Sequence, residues 1–420
     1  MHISGIPARQ RDVSQAVVCN QAVEKEMFLK SLELINFLSF GESGQKLELQ
    51  PLTVLIGPHS AGKSNLIEAI ALIRATSAKS GLRAAIREGG AVRDWLWQGG
   101  RGADCATICA VLEPAEGVPA LKTGGLRYSF SFSEVEHRFT IVSESVESGS
   151  PEQGQDGPCS YYRYAKGHAT AKINGRVRSL QVDGIDSSAS ILSQRGDPEH
   201  YPELMYLGDV FARIRLYREW SFGRQSMARL PQKADLPDDF LEPDASNLGL
   251  VLNRLRRDAA MKQRLLAELN VLCDGIDDFD VRLEGGTVEV LFHEGRRTIP
   301  ATRLSDGTLR YLGLLAILCH RTPPPLLCIE EPELGLHPDV LPGLASLLKE
   351  TSTRTQLILT THSDILVDCF TDEPQSVVVT ERSADGTTLT RLNGDRLKPW
   401  LEKYRLGQLW TRGDLGGTRW

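Results

Sequence analysis

Apolar and polar positions in this chain alternate in some stretches and bunch in others, and the change of period marks the elements. Leu29, Leu32, Leu34, Phe37 and Phe40 recur with partial alternation, which predicts a half-buried strand. Lys46 to Ile56 gives more strand material and ends in the continuous apolar run Leu52–Ile56. Asn65–Ile73 and Ala78–Glu88 have helical spacing, and the second stops at Gly89-Gly90. Thr107–Leu112, Leu126–Phe132, Arg138–Val142, Tyr161–Tyr164 and Ala169–Ile173 read as short strands of an antiparallel sheet. Glu147–Gly157, rich in Ser, Gly, Gln and Pro, is expected to be a mobile loop, and Asn174-Gly175 a turn.

The second half shifts towards helices and buried strands. Leu204–Trp220 and Asn247–Cys273 have helical spacing and flank the irregular, Pro-rich Leu230–Pro243. Val281–Leu283 and Thr287–Phe292 predict a hairpin through Gly285-Gly286. Apolar strands at Leu326–Ile329 and Leu357–Thr361 alternate with helices at Leu309–His320 and Val340–Leu348, the mark of a largely parallel core sheet. Ser376–Thr380 and Thr387–Leu392 form a last pair around Asp385-Gly386. Residues 1–26 lack a pattern and are expected to be a disordered lead-in, with Met27 a candidate natural start. The expected divisions are 27–190, an N-terminal lobe; 191–280, an inserted helical lobe; and 281–420, a C-terminal lobe that joins 27–190 in one α/β unit. There is no internal repeat and no sustained heptad pattern.

Composition narrows the partners. The 420 residues carry 48 basic and 54 acidic side chains, a net charge of −6, which argues against a globally basic nucleic-acid coat but not against a local groove. Arg213, Arg215, Arg218, Arg224, Arg229, Arg254, Arg256, Arg257, Lys262 and Arg264 fall in the middle segment. Two readings of them stay open: a solvated helix face, or a strip that contacts phosphate backbone. No apolar run is long enough to cross a bilayer, so no membrane insertion is expected. The eight scattered cysteines, without zinc-site spacing, suggest reduced thiols in a cytoplasmic protein.

The chemistry centres on Gly57-Pro58-His59-Ser60-Ala61-Gly62-Lys63-Ser64, between an apolar strand and a helix. Glycines let the backbone turn so that N–H groups converge on phosphate, and the helix dipole adds to the attraction. Lys63 is expected to reach the terminal phosphates of a nucleoside triphosphate, and Ser64 to bind Mg²⁺. A carboxylate pair ends the strand Leu326–Ile329. Glu330 is suited to the metal and Glu331 to the attacking water. Ser305-Asp306-Gly307 opens a helix, as an N-cap or as a second phosphate reader, and His362 ends the next strand.

In that order these motifs resemble the ATP-binding-cassette class, in the soluble branch with the SMC, RecF and OLD-type ATPases. Gly57–Ser64 is similar to Walker A, and Gly57 to Asn65 form the nucleotide-binding run. Leu326–Glu331 is similar to Walker B, Leu304–Thr308 to the signature motif, Glu333–Pro338 to the D-loop and His362 to the switch histidine. Gln98 falls at the Q-loop position, which would make it a metal ligand beside Ser64 and Glu330. Asn36–Phe40 resembles the strand before the P-loop of RecF-like proteins. Glu330–Pro338 and the ending Leu406–Trp420, with its Leu-Trp and Leu-Gly-Gly elements, resemble stand-alone bacterial AAA/OLD-like ATPases.

The resemblance implies an α/β P-loop ATPase head with a mixed, largely parallel core sheet, an antiparallel β subdomain and an inserted helical lobe. It implies ATP and Mg²⁺ as ligands, with Lys63, Glu331 and His362 catalytic. It also implies a head-to-tail homodimer in which Ser305 and Gly307 of one copy close over ATP on the other. Asp306-Gly307-Thr308 departs from the Gly-Gly-Gln of the signature. No Asp-x-Asp follows Glu381, which argues against a TOPRIM nuclease in this chain. The functional expectation is an ATPase in DNA-associated processes or phage defence with a separate effector protein. The alternatives are the nucleotide-binding subunit of a membrane transporter and a slow ATP-sensing regulator.

Overall fold

The computed structural model describes residues 28–100, 102–113, 125–151, 157–173, 175–181, 184–218, 220, 223–272 and 275–417. The expectations for residues 1–26, for Asn174 and for the last three residues lie outside them.

The chain begins with β1 (Leu29–Ile35), β2 (Gln45–Glu48) and β3 (Leu52–Ile56), then α1 (Lys63–Ala75) and α2 (Gly81–Glu88). Six strands follow: β4 (Ala106–Leu112), β5 (Leu126–Val135), β6 (Arg138–Pro151), β7 (Pro158–Ala165), β8 (His168–Ile173) and β9 (Arg176–Leu180). The middle holds α3 (Ile191–Gln194), α4 (Pro202–Ala212), β10 (Arg215–Tyr217), β11 (Gln232–Lys233), α5 (Leu248–Leu255) and α6 (Ala259–Leu272). Next come β12 (Asp278–Glu284), β13 (Thr287–Glu294), β14 (Arg297–Pro300), α7 (Asp306–Leu318), β15 (Leu326–Glu330) and α8 (Leu341–Ser352). The last elements are β16 (Gln356–Thr360), α9 (Asp364–Asp368), β17 (Val377–Ser383), β18 (Gly386–Arg391), α10 (Gly394–Leu401) and α11 (Leu406–Thr411).

The central sheet has the order β10-β15-β16-β3-β17-β18, parallel except for the last pair. Its strands are apolar throughout because each face covers a different core. In β3, Val54 and Ile56 point to one core and Leu55 to the other; Leu327 and Ile329 of β15 are likewise separated from Leu326 and Cys328. Ile358 of β16 and Val378 of β17 break their strands in the same way. The first core packs under α5, α7 and α8, and the second lies between α1 and the antiparallel sheet β2-β1-β4-β5-β6-β7-β8-β9. A smaller sheet pairs β13 with β11, β12 and β14.

Two expectations need correction. Glu147 to Pro151 is not loop: Glu147 and Ser148 pair with Arg127 and Leu126, and β6 runs on to Pro151. Buried Glu144, Val146 and Ser148 keep a period of two, and cross-strand pairing outweighs the loop-like composition. The helical spacing of Leu204–Trp220 also ends early, at Ala212. Leu216 and Tyr217 enter opposite cores, so this stretch pairs with β15 as an edge strand. Residues 191–280 therefore carry α3 to α6 and also one strand of the central sheet, which ties the segment into the α/β unit.

Candidate functional site

Parallel register brings the chemistry to one edge. Glu330 pairs with Thr360 and Thr360 with Leu55, so the loop after β3, the carboxylates after β15 and His362 after β16 emerge side by side. Ligands of open α/β sheets bind at this carboxyl edge.

The loop Gly57–Gly62 is shaped by contacts that exclude side chains. Gly57 has φ 144°, and a Cβ there would lie 2.2 Å from the Thr380 carbonyl oxygen. Gly62 has φ 107°, and a Cβ would meet Thr387 Oγ1 at 2.4 Å and Ser39 Oγ at 2.6 Å. Thr387 Oγ1 donates to the Ala61 carbonyl at 2.8 Å and lies 2.7 Å from Ser39 Oγ, which accepts from Asn65 Nδ2 at 2.7 Å. Replacing Thr387 with Val keeps the shape but leaves the Ala61 carbonyl without this donor. Urea unfolding is expected to register a loss of about 1–3 kcal/mol. Lys63 is buried and folds over the loop, donating to the carbonyls of Gly57 (2.9 Å) and Pro58 (2.8 Å). Arg382 Nη1 lies 3.5 Å from the Ser60 carbonyl oxygen.

The Ser64 hydroxyl stands close enough to Glu330 to pull its pKa down. Burial pushes the Glu330 carboxyl above its ordinary range, against the pull of the Arg218 charge and the Ser64 hydroxyl. Among the described residues, Glu330 Oε1 is buried without a partner. Two oxygen donors, one of them an unsatisfied carboxylate, suit a hard divalent cation, so Ser64 and Glu330 fit Mg²⁺. Gln98 does not join them: it is exposed and donates to the Arg93 carbonyl at 2.5 Å. Its neighbours Trp95 and Trp97 are buried in packing.

Glu331 has a left-handed backbone, φ 45°. Its N–H donates to the Thr360 carbonyl (3.0 Å), and its own carbonyl accepts from Arg310 Nη2 (2.6 Å). This geometry turns its carboxylate towards His362, with 3.5 Å between Oε1 and Nε2. The His362 ring also stacks on His59, with centroids 4.0 Å apart. Below them, Glu333 Oε1 accepts from the His362 N–H (2.9 Å) and from Thr361 Oγ1 (2.7 Å), while burial raises the Glu333 pKa.

Ser305 and Gly307 lie at the start of α7. Ser305 Oγ caps the helix by accepting from the Thr308 N–H at 3.0 Å. A Cβ on Gly307 would come within 2.9 Å of the Gly335 carbonyl oxygen. Among the described residues, no hydrogen bond joins Ser305 or Gly307 to the P-loop. Arg229 fixes this turn from outside, donating to the carbonyls of Thr302 and Leu304 and pairing with Asp306.

Several of these partners escaped sequence reasoning. Glu68, four residues after Ser64 on the same helix face, binds Arg218 at 2.8 Å. Arg310 is readable in the sequence only as a lone charge inside the apolar run of α7. Four of the basic residues in the candidate strip are held in ion pairs. Arg254 binds Asp238 and Asp239, Arg256 binds Asp280, Lys262 binds Asp278 and Arg264 binds Glu350.

This architecture shares its fold with solved Smc head domains. A family model described as "AAA domain, putative AbiEii toxin, Type IV TA system" matches residues 207–368. Among solved structures, an Smc head bound to the C-terminal winged-helix domain of ScpA aligns at TM-score 0.53 and 16% identity, covering 89% of this chain and 99% of that one. A Pyrococcus furiosus Smc head with an extended coiled coil, bound to the C-terminal domain of ScpA, aligns at TM-score 0.53 and 13% identity, covering 90% and 99%. At such identities the likeness concerns fold. No curated protein sequence matches the chain. No helix among the described residues is long and apolar enough to cross a membrane.

Proposed function

We propose that the chain binds and hydrolyses ATP and closes head-to-tail on a second copy around it. The observation that carries this is the register that brings Glu330, Glu331 and His362 to the edge where the P-loop opens, with Glu330 Oε1 buried and unsatisfied. Lys63 leaves the Gly57 and Pro58 carbonyls and takes phosphate oxygens in their place, an exchange of neutral acceptors for charged ones. Ser64 and Glu330 would hold Mg²⁺, whose chemistry is to neutralise charge on the phosphates. Glu331 orients the attacking water and accepts its proton. His362 steadies the γ-phosphate side of the site.

The signature turn supports the composite site, since Ser305 is preorganised as a cap yet, among the described residues, has no hydrogen bond to its own P-loop. Mixing Lys63→Ala protein with Ser305→Arg protein tests this arrangement. Each variant alone is expected to be inactive, and the mixture to regain up to about a quarter of wild-type turnover through one intact site per heterodimer, if ATP-driven pairing is random. A mixture as inactive as its components would refute the shared site. The OLD-type resemblance supports a defence setting in which a separate effector protein delivers the output, and the matching family model is described by a toxin of a type IV TA system. The ion-paired arginines give no support to DNA as the ligand of the middle segment.

A further inference from the structure

The Leu-Gly-Gly element near the chain's end has no role in the chemistry above, yet it lies against the P-loop. Gly416 and Gly417 both have left-handed backbones, φ 77° and 60°. A Cβ on Gly417 would lie 2.6 Å from Val379 Cγ1, and 3.5 Å from both Gly57 Cα and the Thr380 carbonyl oxygen. The first glycine of the P-loop is thus packed between Thr380 and Gly417. Two hydrogen bonds pin this approach. The Gly417 N–H donates to Glu381 Oε1 at 2.9 Å, and the Gly417 carbonyl accepts from the buried indole Nε1 of Trp410 at 2.9 Å.

Trp410 belongs to α11, whose other end is fixed to the histidine side of the site. The N–H groups of Gly407 and Gln408 donate to Asp368 Oδ1 at 2.7 and 3.3 Å. A Cβ on Gly407 would come within 2.1 Å of the Asp364 carbonyl oxygen. Asp364 and Asp368 are the ends of α9, which starts two residues after His362 and is capped by Ser363. One short segment therefore grips the helix behind His362, by a backbone contact at Gly407 that only glycine allows, and packs Gly417, in a left-handed conformation, against the first glycine of the phosphate loop.

We infer that Leu406–Gly417 is a positioning brace of the nucleotide site. It sets the distance between the P-loop and His362, so that a triphosphate meets both at once. The inference rests on the reading of Gly57–Ser64 as the triphosphate cradle. Trp410 and Gly417 are positioning residues: they act through Gly57 and α9.

Fluorescent MgATP titration, with thermal unfolding measured in parallel, tests the brace. Trp410→Phe keeps the packing and removes the indole donor, and Gly417→Ala inserts one methyl against Val379. Both are expected to raise the Kd for MgATP about tenfold, because a small displacement of a preorganised site is costly. Glu381→Ala should do the same, whereas Glu381→Gln, which keeps an acceptor oxygen, should bind within about twofold of wild type. Lys403→Ala, on an exposed side chain just before the segment, is the control and should not change affinity. A merely structural role would lower the melting temperature of the three disruptive variants and leave the Kd of the folded fraction unchanged, and that result overturns the brace. Failure of wild-type protein to bind MgATP would instead remove the cradle reading, and the brace with it.

Discussion

Glu331→Gln is expected to cut ATP turnover by about 10²–10³-fold while leaving MgATP affinity nearly unchanged. The carboxamide would keep the size and one acceptor oxygen but could not take a proton from water. Binding would be spared because Lys63 and the loop amides, not Glu331, hold the phosphates in the proposed site. The same variant should accumulate an ATP-bound dimer, seen by light scattering as a doubling of mass that reverses when ATP is removed. Turnover at the wild-type rate would take Glu331 out of the mechanism. Slow turnover with no dimer would keep the chemistry and refute the closing of two copies around ATP.

Arg310→Met is expected to imitate that loss without touching the carboxylate. Arg310 is 3% exposed, and burial pushes its pKa down to about 10 against the pull of Glu333 and Glu331. Its guanidinium bonds the Glu331 carbonyl and lies over the Trp220 ring, 5.3 Å from the centroid. A non-glycine residue in a left-handed conformation costs on the order of 1–3 kcal/mol and persists only when its surroundings enforce it. Arg310 and the Leu334 N–H hold the Glu331 carbonyl, and the Thr360 carbonyl takes its N–H. Without the guanidinium, the carbonyl keeps only the Leu334 N–H, and the looser peptide can swing the carboxylate away from His362. We expect turnover about 10²-fold lower with MgATP affinity within about twofold. Arg310→Lys should not rescue it, since an ammonium cannot reproduce the planar fork that packs on the indole. Rescue by lysine would mean that charge alone matters and that the Glu331 backbone is held by other contacts.

The parts of the molecule written in local pattern are legible in the sequence. Leu52–Ile56, Leu326–Ile329 and Leu357–Thr361 announce buried parallel strands because both of their faces are apolar. The P-loop is legible because its glycines and lysine follow a strand and open a helix. What stays hidden is long-range pairing. Nothing local marks Arg215–Tyr217 as a strand, since its partner Leu327–Ile329 lies over a hundred residues away. Glu147–Pro151 looks like a loop because the composition of a surface strand and of a loop overlap, and only β5 opposite it decides. Gln98 is placed by motif order alone, and its carboxamide turns to its own loop instead. The roles of Arg310, Arg229 and Thr387 stay hidden because much of their work is done on backbone carbonyls, which carry no sequence signal.

The central sheet also dictates when the protein becomes competent during its synthesis. Strand β3 leads into the P-loop near the beginning of the chain, yet its two neighbours are β16 and β17. Leu29 is joined at both its N–H and its carbonyl to the Gln356 side chain, across 327 positions of sequence. A nascent chain thus leaves the ribosome with its phosphate loop attached to a strand that has nothing to pair with, while the β4–β9 meander can form from neighbouring segments. Such non-local pairing is slow and leaves an apolar edge open until the last quarter is made. A chain ended between the phosphate loop and β16 would carry that loop on a strand with neither of its sheet neighbours.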